Sequence, residues 1–241
     1  MLITNKKNFM KGLLLMGSFA VIFFIILSPV FKTDAGVAQN GLEYADDLFN
    51  KLSKGSSYFI KEVQAGVDKN AGKTIELTYA MKKAEKAEAF AKIATAAGAT
   101  ASASGANVTI KGDLAVLLTA TVKDSDALYH NDSKAIADRY GMDHMVAMEA
   151  WWEGLSPMIK ALQKNKQIPE AQVVDLVLKK AVEPGYNFFG IPAAQVSEKA
   201  GVMIALLVFY VIYTMWYGYA IFDLFDGIGL TMSKSKVKKE A

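Results

Sequence analysis

The chain has 241 residues, 27 Lys+Arg against 24 Asp+Glu for a net charge of +3, and no cysteine. Without cysteine it carries no disulfide framework, thiolate metal site or covalent c-type haem of its own. The basic excess lies at the two ends and leaves the middle near neutrality, so no broad positive field suited to nucleic acid is expected.

Two uncharged apolar runs bracket the chain, Gly12 to Phe31 and Gly201 to Phe222. Each is about 20 residues, the length a helix needs to cross about 30 Å of hydrocarbon. A backbone in lipid must satisfy its own hydrogen bonds, so both read as transmembrane helices. Lys6, Lys7 and Lys11 precede the first run, and Lys234, Lys236, Lys238 and Lys239 follow the second. Lysine-rich short flanks stay in the cytoplasm. The expected layout is a cytoplasmic tail 1–11, a span 12–31, an extracytoplasmic domain 32–200, a span 201–222 and a basic cytoplasmic tail 223–241. The place expected is a bacterial inner membrane. The first run is longer than a signal-peptide core, and Thr33-Asp34-Ala35 is a poor cleavage site, so the segment reads as an uncleaved anchor.

Between the runs the pattern is mixed. Leu42, Ala45, Leu48, Phe49 and Leu52 recur at helical spacing, and Tyr58 to Val63 reads as a second helical piece. Residues 74–79 alternate as a strand. Residues 80–97 carry a helical alanine stripe closed by Gly98. A hairpin about Gly105 follows, and Asp113 caps a helix starting at Leu114. This order predicts a small β-α-β-β-α sheet unit within 73–130. The remainder predicts one helix over 132–152, a second starting at Ser156-Pro157, and a third starting at Pro169 and ending at Glu183-Pro184-Gly185. The fold class expected is therefore a two-span membrane protein with a helix-rich α+β domain.

Signals for chemistry are few. Gly-x-Ser-x-Gly, Walker and dinucleotide-binding glycine patterns do not occur. Met142, Met145 and Met148 with His144 have soft-ligand character, but their helical spacing reads as core packing, and no metal or cofactor is expected. Trp151 and Trp152 point in different directions on a helix, which places one in the core and one near an interface. Tyr210, Tyr213 and Tyr217 share a face of the second span, and the Tyr213 hydroxyl requires a partner inside lipid. Asp223 and Asp226 follow at once. Gly12, Gly17 and Ala20 form a smooth strip on the first span. The spans lack charge, which argues against an ion path. The tails expected on the inside are too short for an output domain.

These features favour a non-catalytic scaffold or accessory subunit of a bacterial envelope membrane complex over an enzyme. Its interaction residues would be Trp151, Trp152, Tyr210, Tyr213, Tyr217, Asp223 and Asp226. The expected partners are the lipid bilayer and other membrane subunits or a second copy. The alternative is an anchored extracytoplasmic module for a small molecule, peptide or metal.

Overall fold

The computed structural model describes residues 3–33 and 35–230. They form two units. One is made from the chain up to Phe49 and from Ala194 onward, the other from Asn50–Ala193.

In the first unit, α1 (Lys6–Leu27) and α10 (Val196–Gly227) are apolar helices of 22 and 32 residues, each long enough to span a membrane. At 1.5 Å per residue they reach about 33 and 48 Å. Asn5 caps α1 by accepting from the Asn8 N–H (3.2 Å). The helix stops at Leu27, four residues short of the end of the apolar run, where Ser28 and Pro29 intervene. Proline disfavours helix for the residue before it. Phe31–Lys32 (β1) instead pairs antiparallel with Ala38–Gln39 (β2). Next comes α2 (Gly41–Ser56), within which the unit boundary falls.

The second unit continues with α3 (Ile60–Asp68), β3 (Thr74–Ala80), α4 (Ala84–Ala96), β4 (Thr100–Ser104), β5 (Asn107–Asp113) and α5 (Leu114–Tyr129). The sheet order is β3-β5-β4 with both pairings antiparallel. β3 and β4 are therefore parallel with β5 between them, a split β-α-β arrangement. Ile75, Leu77, Tyr79, Val108 and Ile110 are buried, while Thr74, Glu76, Thr78, Thr109 and Lys111 are exposed, so helices cover one face only.

Three expectations about the later helices fail. The helix expected over 132–152 is two helices, α6 (Ser133–Tyr140) and α7 (His144–Lys164). Gly141 at φ +60° closes the first, and Asp143 caps the second through the Met145 and Val146 N–H groups. Pro157 does not start a helix; it lies inside α7. Its missing N–H costs a bond to the Glu153 carbonyl, but the buried row Trp151, Leu155, Met158 and Leu162 holds the helix through it. Glu183-Pro184-Gly185 does not end the third helix. α8 (Ile168–Val177) passes through a π-helical turn (Leu178–Val182) into α9 (Glu183–Asn187).

Gly154 of α7 lies against the Phe90 ring: a Cβ there would meet Phe90 Cδ2 at 2.0 Å. G154A is expected to destabilise the domain by about 1–3 kcal/mol. Adding F90L should recover much of that loss in a urea melt. A G154A melt matching that of the parent would refute the packing.

Candidate functional site

A run of three cavities in the second unit lies along α7. At one end Met148, Trp152, Val182 and Tyr186 line a mainly apolar cavity of about 280 Å³, with Glu149 and Glu183 at its polar side. Trp152 also lines the next cavity, about 260 Å³, with Met81, Lys82 and Pro157. Ala80, Pro157 and Lys160 carry the trench into a third cavity of about 470 Å³, between residues 76–80 of β3 and Lys160, Lys164 and Asn165 of α7. As β3 ascends from Glu76, the facing residues of α7 descend from Asn165. The strand and helix are thus antiparallel neighbours along about 20 Å. The Tyr79 hydroxyl donates to the Gly154 carbonyl (2.9 Å) and ties the two walls together.

One wall of this trench is a bare strand edge. The Met81 N–H bonds to the Ala106 carbonyl (2.8 Å) and the Leu114 N–H to the Lys73 carbonyl (2.9 Å). With the β3–β5 register, odd-numbered residues of β3 bond to β5. The N–H and C=O groups of Thr74, Glu76, Thr78 and Ala80 therefore point away from the sheet, and no described strand pairs with them.

Behind the trench lies a buried polar knot. Asp124 of α5 is fully buried and accepts from the Trp151 indole N–H (2.9 Å), the Tyr140 hydroxyl and the Arg139 guanidinium. Burial pushes its carboxyl above the ordinary carboxylate range. The Tyr140 and Trp151 hydrogen bonds and Arg139 pull the other way. A buried cation, Lys54, donates to the Phe188 (3.0 Å) and Ile191 (2.6 Å) carbonyls and to Asn131 Oδ1 (3.3 Å). Burial lowers its pKa. Asn131, at φ +63°, also accepts from the Gly190 N–H (2.7 Å), so the turn after α5 and the loop after α9 share one tie.

The residues singled out from sequence fall in different places. Trp151 belongs to the core knot and not to an interface, whereas half-buried Trp152 stands in the trench. Met148 is fully buried, and Met142 and Met145 pack against the same core. His144 lies 4.6 Å from the Phe189 ring. Among the described residues no group of three or more His, Cys, Asp or Glu is placed to hold a metal.

In the first unit the Tyr213 ring stacks on Phe19 at 4.2 Å, and its hydroxyl donates to the Phe19 carbonyl (3.3 Å). Tyr217 lies 5.0 Å from the same ring, while Tyr210 is exposed. The Trp216 indole N–H bonds to the Leu15 carbonyl (3.2 Å). Asp223 pairs with Lys11 (2.9 Å), and Asp226 accepts from Asn8 Nδ2 (2.5 Å). Both acids thus find partners on α1 of the same chain. Gly12 sits against the Leu224 backbone, but Gly17 has nothing within 4 Å of its Cβ position, so of the two glycines in the strip only Gly12 is at a close approach.

Sequence reasoning missed Asp124, Lys54 and the bare β3 edge. Asp124 had a signal: with Leu117, Thr121 and Leu128 it occupies the buried stripe of α5. Arg139, its partner, is the only arginine of the chain. No protein-family model, curated protein or solved structure matches this chain.

Proposed function

We propose that the protein is a non-catalytic scaffold or accessory subunit of a bacterial envelope membrane complex. Two helices anchor it in the inner membrane, with both ends cytoplasmic and the intervening domain outside. The observation that carries this reading is the self-sufficient α1–α10 pair. Its ion pair, tyrosine hydroxyl and indole N–H are satisfied within the chain, while Phe209, Tyr210, Tyr219 and Phe222 of α10 remain exposed. Such a pair supports an uncleaved anchor, because removal of α1 would strip Asp223 and Asp226 of their partners. Two anchors hold the inserted domain at the membrane surface and raise its effective concentration toward membrane partners.

The cavity at Trp152 and Tyr186 favours the second reading, a ligand-binding module. Purification in mild detergent followed by native mass spectrometry separates the two. A stoichiometric companion protein is the expected result. A lone chain carrying a small bound mass would replace the scaffold with the binding module.

A further inference from the structure

We infer that the trench between β3 and α7 binds an extended acidic segment of a partner protein, which adds to the sheet as a fourth strand beside β3. This rests on the reading of the protein as a partner-holding subunit and names the chemistry of what it holds.

The outward N–H and C=O groups of Glu76, Thr78 and Ala80 form a ladder without a partner strand. A peptide laid there gains main-chain hydrogen bonds from the edge, and its alternate side chains face α7. Lys160 and Lys164 line that side and are exposed. Among the described residues neither has a carboxylate within ion-pair distance. They stand one helical turn apart, about 6 Å, and residues two apart on a strand repeat at about 6.7 Å. Carboxylates at i and i+2 of the incoming strand therefore meet both lysines. The acids already in this stretch are engaged: Glu76 pairs with Lys111 (2.8 Å), and Glu153 lies 3.8 Å from Lys82. The field left over is positive, which selects an acidic segment over a basic one. Past Pro157 the trench opens onto half-buried Trp152 and exposed Tyr186, which offer an aromatic seat for the end of the segment.

The test uses the full chain in detergent micelles and a fluorescein-labelled octapeptide alternating valine and glutamate. Saturable binding is expected, and the valine–lysine counterpart should not bind. K160E/K164E should weaken binding by about tenfold or more. T78P removes an N–H that β5 does not use, a change edge strands tolerate, and should abolish binding. A peptide N-methylated at every residue keeps its charge but has no N–H on either edge to pair with β3. Its loss of binding supports strand addition without any change to the protein. Equal binding of the N-methylated peptide, as for any polyanion, would overturn the proposal, as would no binding by the parent chain or full binding by K160E/K164E. If a companion protein co-purifies undiminished with K160E/K164E, the trench assignment fails while the scaffold reading stands. If the peptide binds a chain that purifies alone, strand addition stands and the scaffold reading fails.

Discussion

Replacing Asp124 with alanine is expected to destabilise the folded insert by about 2–5 kcal/mol, the cost of leaving two buried donors without an acceptor. The carboxylate is fully buried and receives donors from three side chains on two other helices. Its loss leaves the Trp151 N–H and Tyr140 hydroxyl without an acceptor and Arg139 without its counter-charge. Replacing both charges with apolar groups, D124L with R139M, removes the unpaired guanidinium but still leaves the Trp151 N–H and Tyr140 hydroxyl without an acceptor, so it should recover only a small part of the D124A loss. Denaturant melts of the parent and the two variants decide it, and a D124A midpoint equal to the parent's would refute the knot.

The pH dependence has a definite sign. Asp124's folded pKa is raised, chiefly by burial. A group of that kind adds stability that is complete below its unfolded value, near pH 4, and is lost as pH rises through the folded value. The parent's advantage over D124N should therefore shrink as the pH rises above about 4. An advantage that grew over that range would contradict the shift.

The second large effect is expected at Gly227. A Cβ there would lie 2.6 Å from Phe9 Cα, in the backbone of α1, where no side-chain rotation relieves it. The Gly227 carbonyl also receives the Thr4 (2.9 Å) and Asn5 (3.0 Å) N–H groups, which cap the start of one helix on the end of the other. G227L should push α1 and α10 apart. Because the chain has no native cysteine, F19C/Y213C can be bridged cleanly by a short bis-maleimide. Cross-linking within the chain should fall by about tenfold in G227L, since overpacking costs about 1–3 kcal/mol. It should survive in G17L, where the site is open. Equal yields in both variants would rule out the close approach at Gly227.

The elements most legible in the sequence were those with strong periodicity. The apolar runs, the alternating strand at 74–79 and the Asp113 cap all write their geometry locally, and α1, α10, β3 and α5 follow them. Proline misled twice for one reason. Pro157 and Pro184 read locally as helix boundaries, but burial of Trp151, Leu155 and Met158 around one, and of Val182 and Gly185 around the other, outweighs the lost N–H. The trench was not legible, because its walls are distant in sequence. The bareness of the β3 edge depends on β5, not β4, pairing with β3. The tryptophan pair was legible as one inner and one outer ring but not as to which was which, and nothing local shows that Lys160 and Lys164 continue the groove at Trp152.

The contact between Asn8 and Asp226 joins positions 218 residues apart. If the chain enters the bilayer as it is made, at about 5–20 residues per second, the first helix waits about 10–40 s before its mate emerges. For that interval Lys11 and Asn8 have neither carboxylate. Until α10 is made, water or lipid phosphates are the polar partners left to them. The clasp of α1 on α10 is therefore a late event, able to close only after the residues between them have been made.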